Sequence, residues 1–308
     1  MRIVFMGTPD FARESLEKLY EAGYEIGAVI CPPDRPKGRG MKMIACPVKE
    51  FALEKSLTIW QPDKLKEVKE DIELIAPDMI VVVSYGKFLP KSILDIPKLG
   101  AINVHPSMLP KYRGSAPIQW AIINGDKATG TTIMKMNEKM DAGDIILQQE
   151  VEINENETTG ELWTRLSGIS SELLLKAIKQ IEEGKAQYQP QPEEYTLAPM
   201  LEKQIAKIDW QTQNSKTIKN LVRGLNPILG AYAIMGQKKV KFWKVECINN
   251  DSNEIPGTVL LADAKTGLQI QTIDGAISVL EIQGENARKM SISEFLRGNQ
   301  IKVGEIFE

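Results

Sequence analysis

Apolar runs and polar turns alternate along the first half of the chain with a steady beat. Ile3–Met6 is continuously apolar, as a strand buried on both faces requires, and Gly7-Thr8-Pro9-Asp10 turns the chain into the helical period of Phe11–Glu21. The same reading predicts a strand at Glu25–Ile30, a helix at Val48–Lys55, a short strand at Leu57–Trp60 and a helix at Lys64–Ile75. Met79–Val83 is strongly β-branched, the composition of a central strand, and Ala101–Val104 follows as the next one. This βαβα order predicts an α/β fold: a twisted, mostly parallel sheet with helices on both faces.

The pattern then changes. Ala116–Asn124 reads as a helix, Thr131–Met136 as an alternating strand, and Asp144–Glu150 as an antiparallel partner for it. Thr158–Glu183 reads as a long helix opened by the capping pair Thr158 and Glu161, with a break expected near Gly168. Gln187–Ala198 is rich in Gln, Pro, Glu and Tyr, the composition of a linker. After Ile205 come a helix at Ser215–Gly224 and short strands near 231–235, 239–244, 257–262, 267–272 and 276–282, spaced as in a small β-barrel. The division expected is a catalytic domain over 1–187, a linker over 188–204 and a barrel over 205–308.

Composition narrows the function classes. The net charge of -3 carries no global nucleic-acid signature, yet residues 203–308 hold fourteen Lys and Arg against eleven Asp and Glu, so that region is +3 and the rest -6. Cys31, Cys46 and Cys247 make no CxxC pattern, and with a single histidine no Cys/His zinc set forms, so no metal is expected. Free thiols fit a reducing cytoplasm. No signal-peptide shape opens the chain, and no apolar run reaches the ~20 residues of a membrane span.

The single histidine, His105, ends a strand at Asn103-Val104-His105-Pro106. Side chains two apart on a strand share a face, so Asn103 and His105 point together from the carboxyl end, where open α/β sheets bind ligands. The turn after the first strand has one glycine and is no GxGxxG fingerprint, which argues against a nicotinamide site; it reads equally as a plain strand-to-helix turn or a ligand contact. Ser107 is too close to His105 in sequence, and lacks the GxSxG elbow, for a Ser/His/Asp hydrolase. Met140-Asp141-Ala142-Gly143-Asp144 supplies carboxylates in a glycine-containing turn, and the loop Asp34–Lys42 concentrates positive charge suited to phosphate. An Asn, a His and an Asp suit transfer at a carbonyl carbon. The attacking amine must lose a proton, and the developing oxyanion needs donors.

Taken in order, these motifs resemble the methionyl-tRNA formyltransferase family of the folate-dependent formyltransferases, along essentially the whole chain. The resemblance rests on Gly7–Phe11, Asp34–Gly40, Asn103 with His105, Ser107–Pro110, Arg113–Gln119, Met140–Asp144, Ile208-Asp209-Trp210 and Asn226-Pro227. It implies a Rossmann-like catalytic domain with a smaller C-terminal OB-like β-barrel. It implies 10-formyltetrahydrofolate as donor, the α-amine of methionine on initiator tRNA as acceptor, and a monomer. On this resemblance Asn103, His105 and Asp141 are catalytic, and Ser107, Met108, Leu109 and Pro110 line the folate site. Arg35, Lys37, Arg39 and Lys42, with Lys238, Lys239, Lys241 and Lys244 of the barrel, would contact tRNA. The alternative the same trio allows is formyl transfer to an amino-sugar nucleotide.

Overall fold

The computed structural model describes residues 1–37 and 42–308, the side chains of Lys37 and Lys42 excepted. The chain forms two compact units, one of residues 1–117, 128–152 and 163–199, the other of 118–127, 153–162 and 200–308.

In the first unit β1 (Arg2–Gly7) runs into α1 (Asp10–Glu21), which buries Phe11, Ala12, Leu16 and Leu19. Then come β2 (Glu25–Ile30), a hairpin of β3 (Arg35–Lys37) and β4 (Lys42–Ile44), α2 (Pro47–Glu54) and β5 (Ile59–Trp60). Next are α3 (Lys69–Ile75), β6 (Met79–Val83), α4 (Lys91–Leu94), β7 (Ala101–His105) and β8 (Arg113–Gly114). After α5 (Pro117–Ile123), which from Ile118 on belongs to the second unit, follow β9 (Ala128–Lys135), β10 (Ile145–Glu152), α6 (Thr159–Glu182), whose residues up to Leu162 also belong to the second unit, and β11 (Leu197–Ala198). The seven-stranded sheet has the order β10-β9-β7-β6-β1-β2-β5. From β5 to β7 every neighbour is parallel, and β9 and β10 add antiparallel strands at one edge. Every residue of β6 and β7 is buried; the continuous apolar run of β6 follows from cover on both faces, and β7 departs from such a run at Asn103 and His105.

Two local expectations change. The basic loop is not wholly irregular, because Arg35–Lys37 and Lys42–Ile44 pair as a short antiparallel hairpin. The long helix also continues through Gly168. A lone glycine costs roughly 1 kcal/mol in a helix, and the buried stripe of Leu166, Leu173, Leu174, Ala177 and Ile178 outweighs that.

The second unit contains α7 (Ser215–Gly224), capped by the Asn214 side chain accepting from the Thr217 N–H. Its sheet is antiparallel: β12 (Ala231–Met235), β13 (Lys238–Ile248), β14 (Val259–Asp263), β15 (Gly267–Thr272) and β16 (Gly275–Gln283), ordered β12-β13-β16-β15-β14, with β17 (Met290–Ser291) beside β16 and α8 (Ile292–Gly298) following. Residues 305–308 bridge the two free edges. Ile234 N–H donates to the Glu308 carbonyl at 2.8 Å, and Val259 N–H to the Glu305 carbonyl at 2.8 Å. The sheet is thereby closed as a barrel. Its core stacks Trp210, Phe242 and Phe307 edge-on or tilted, with centroids 5.6 to 6.3 Å apart.

Candidate active site

His105 is the last residue of β7 and is 4% exposed. Pro106 cannot continue the ladder, so the chain leaves the sheet there. Its Nε2 lies 2.9 Å from the Tyr112 carbonyl. A carbonyl only accepts, so Nε2 carries the proton and Nδ1 is the nitrogen left for chemistry. Nδ1 faces Asp141 Oδ2 at 3.7 Å. That oxygen also accepts from the Gly114 N–H at 2.8 Å. The carboxylate is therefore held by a backbone donor while its Oδ2 faces the imidazole. Asn103 sits two residues earlier on β7 and is 9% exposed; it pairs across to Met134 while His105 pairs to Thr132. The structure thus brings His105 and Asp141 together, with Asn103 on the same strand face.

The loop after His105 is fixed by one hydroxyl. Thr132 Oγ1 donates to the Ser107 carbonyl at 2.7 Å and accepts from the Leu109 N–H at 3.2 Å and from Gln148 Nε2 at 2.9 Å. One donor and two acceptor positions are all a hydroxyl has, so this hub is saturated. Gln148 also donates to the Leu109 carbonyl at 2.8 Å, and the Ser107 hydroxyl to the Lys111 carbonyl at 2.6 Å. Ser107 and Leu109 are buried, Leu109-Pro110 is cis, and Met108 and Pro110 are half-buried. Of the four folate candidates, then, two build the loop and two form its accessible rim.

Arg113, which the sequence marked only as a motif residue, and Gln191 and Thr196, which it missed, hold this site in place. Arg113, 8% exposed, donates to Gln191 Oε1 from Nε at 3.1 Å and from a terminal nitrogen at 2.7 Å. Gln191 Nε2 donates in turn to the carbonyls of Asp141, at 2.9 Å, and Gly143, at 2.8 Å. The Thr196 hydroxyl accepts from the Tyr112 N–H at 2.9 Å. Gln191 and Thr196 lie in the stretch read as linker, where no local signal marks them. Asp144 takes part through its backbone, its carbonyl accepting from Lys135 N–H at 2.8 Å. Among the described residues no group of three or more His, Cys, Asp or Glu is placed to hold a metal ion.

The basic candidates divide. Arg39 and the side chains of Lys37 and Lys42 lie outside the described residues; Arg35 is exposed. In the barrel Lys238, Lys239 and Lys244 are exposed and Lys241 is half-buried. The Lys239 ammonium sits 3.7 Å from the Tyr232 ring centroid, and the Lys241 and Lys289 ammoniums 5.6 and 5.7 Å from that of Trp243. Lys244 and Lys289 also line a cleft of about 370 Å³ with Lys219 and Arg223, and with Glu161, Glu246 and Glu281 opposing them. Cations beside rings suit a nucleic-acid backbone, and the acids temper the charge.

Comparison with known proteins places this geometry. Residues 1–178 match the formyl transferase model and residues 200–300 the formyl transferase C-terminal domain. The methionyl-tRNA formyltransferase of Clostridioides difficile is 45% identical over 307 residues, covering 99% of both chains. That of Caldanaerobacter subterraneus is 44% identical over 312 residues, covering 100% of both. Among solved structures, HypX from Aquifex aeolicus in complex with tetrahydrofolic acid superposes with a TM-score of 0.67 at 19% identity, over 99% of this chain and 50% of that one. An N-formyltransferase from Helicobacter canadensis, in complex with folinic acid and dTDP-3-aminofucose, gives 0.67 at 20% identity, over 94% of this chain and 99% of that one. These two likenesses are of fold. With both family models matched and relatives aligned end to end, the chain belongs to the formyl transferase family.

Proposed function

We infer that this chain transfers a formyl group to the α-amine of methionine carried on initiator tRNA. The observation that carries the reading is the 45% identity to a methionyl-tRNA formyltransferase across 99% of both chains, with His105 and Asp141 in contact at the end of β7. The donor is a reduced folate, 10-formyltetrahydrofolate, held against the rim of Met108 and Pro110. The methionyl nitrogen attacks the formyl carbon, its C–N bond forms, and the carbonyl oxygen becomes an oxyanion. The N10–C bond then breaks, and the proton lost by the amine ends on N10 of the folate.

Once protonated, Nδ1 of His105 donates to the oxyanion, since Nε2–H is committed to the Tyr112 carbonyl. Asn103, on the same face, adds a second donor. Asp141, whose Oδ2 faces Nδ1, takes part in removing the amine proton. Transfer chemistry belongs to the first unit. Contacts to the tRNA backbone come from the basic loop around Arg35–Lys42 and from Lys238, Lys239, Lys241 and Lys244 of the barrel. Such contacts give affinity that falls steeply with salt and position the acceptor without reading bases.

The sugar-nucleotide alternative has less support, because the N-formyltransferase solved with dTDP-3-aminofucose is 20% identical, against 45% for the methionyl-tRNA formyltransferase. The test supplies the purified chain with 10-formyltetrahydrofolate and, in parallel, with charged initiator tRNA or a dTDP-amino sugar. Formyl-methionyl-tRNA should accumulate; formylation of the amino sugar alone would refute the assignment.

A further inference from the structure

We propose that Gln191 is a positioning residue for this transfer, setting the Asp141 carboxylate against His105; the proposal rests on the reaction assigned above. The orientation of the Gln191 amide is decided by its neighbours. Arg113 offers only donors, at 2.7 and 3.1 Å, so the amide oxygen must face it. Both amide hydrogens are then turned on the Asp141 and Gly143 carbonyls, at 2.9 and 2.8 Å. Arg113 is itself pinned, buried and lying 4.5 Å over the Tyr195 ring centroid.

Asp141 needs such support. Its φ is +48°, a left-handed conformation that a non-glycine residue adopts at a cost of about 1–3 kcal/mol unless its surroundings hold it. The other side of the imidazole depends on the same stretch of chain. Thr196 accepts the Tyr112 N–H, and the Tyr112 carbonyl fixes Nε2. Both groups that decide where the imidazole proton sits are therefore held by residues 191–196. The Gln191 amide bonds to the Asp141 main chain and not to the imidazole, so it acts through Asp141.

Two substitutions separate the clamp from simple structural support. Gln191→Glu keeps an acceptor for Arg113 but aims an oxygen, instead of two hydrogens, at the two carbonyls. Gln191→Ala removes the clamp and leaves Arg113 to water. Both are assayed in the full chain with charged initiator tRNA and 10-formyltetrahydrofolate. We expect kcat to fall about 30-fold or more while both KM values stay within about threefold. The midpoint of the pH–kcat curve should move by about half a unit.

The chain has one histidine, so ¹⁵N-histidine labelling gives one imidazole spin system, and its Nδ1 signal should move in both variants. Retention of kcat within about threefold would overturn the proposal. So would a loss of kcat with the pH profile and the Nδ1 signal unchanged, which would mark a merely structural role. Should the wild-type chain fail to formylate methionyl-tRNA, the reaction assignment falls instead. The Nδ1 comparison, which needs no substrate, then decides the clamp: movement upholds it and an unchanged signal overturns it.

Discussion

Gly143→Ala tests whether the Asp141 turn is as tightly seated as its geometry implies. A Cβ at Gly143 would stand 1.7 Å from the Lys135 carbonyl oxygen and 2.8 Å from its carbon. Both atoms are backbone, so no rotamer change relieves the overlap. Lys135 cannot easily yield, because it ends β9 in register with Ile102 of β7, and its N–H donates to the Asp144 carbonyl at 2.8 Å. The turn must therefore move. Reaching ordinary van der Waals contact demands a displacement of roughly 2 Å.

That shift draws the Gly143 carbonyl away from Gln191, and Asp141 is only two residues upstream. A misplacement of about 1 Å at a reacting centre costs on the order of 100-fold in rate, so kcat should fall by about that factor. Stability should suffer less. Overpacking costs roughly 1–3 kcal/mol, and the lower end applies because the turn borders solvent, with Met140 63% exposed. The assay pairs formyl-methionyl-tRNA formation with thermal unfolding of the same preparation. Near-normal turnover in a protein of unchanged Tm would refute the claim that this turn positions the carboxylate. A fall in Tm large enough to account for the lost activity would show instead that the turn matters to folding.

His105→Ala should abolish formyl transfer while leaving tRNA affinity within about twofold, read by filter binding beside turnover; substantial residual transfer would dismiss the imidazole from the chemistry. Arg39→Ala should raise KM for tRNA far more than KM for folate and flatten the salt dependence of tRNA binding; equal effects on both would move Arg39 out of the tRNA interface. Phe307→Ala empties a fully buried ring position between Trp210 and Phe242 and should cost about 3–5 kcal/mol in urea unfolding, with a loss under 1 kcal/mol contradicting barrel closure through residues 305–308. Asp274 provides the pH test. Desolvation opposes its charge, but hydrogen bonds from the Ser215 N–H and from the Thr272 and Ser215 hydroxyls outweigh this and hold the carboxyl below its ordinary range. Its contribution is therefore present above the unfolded-state value and lost as pH falls through the lower folded-state value. Asp274→Ala should cost about 1 kcal/mol at neutral pH and remove that acid-side loss, measured as urea midpoints against pH.

The ease with which this fold reads from its sequence has a limited physical source. β6 is buried at every position and β1 at every position but Arg2, so both read as apolar runs that mark covered central strands. The period-2 geometry of β7 puts Asn103 and His105 on one face before any partner is known, and Pro106 marks where the sheet lets go. Asp141 is legible as an acid in a glycine-containing turn. The groups that make these residues cooperate are of another kind. The imidazole proton is placed by the carbonyl of Tyr112, and Asp141 is held by a backbone N–H and by an amide gripping its own carbonyl. Every residue carries a carbonyl and almost every one an N–H, so these partners leave no mark in the residue pattern. Gln191 does have a side chain to read, but it lies 78 residues from Arg113 and 50 from Asp141, inside a Pro- and Gln-rich stretch whose composition says only that it is neither helix nor sheet core. Such a stretch gains its role when Gln189 pairs with Ile145, and Thr196 and Ala198 pair with the chain around β8. The chemistry is thus written in side chains that local periodicity exposes, whereas its alignment is written in main-chain contacts that exist only once the first unit has closed.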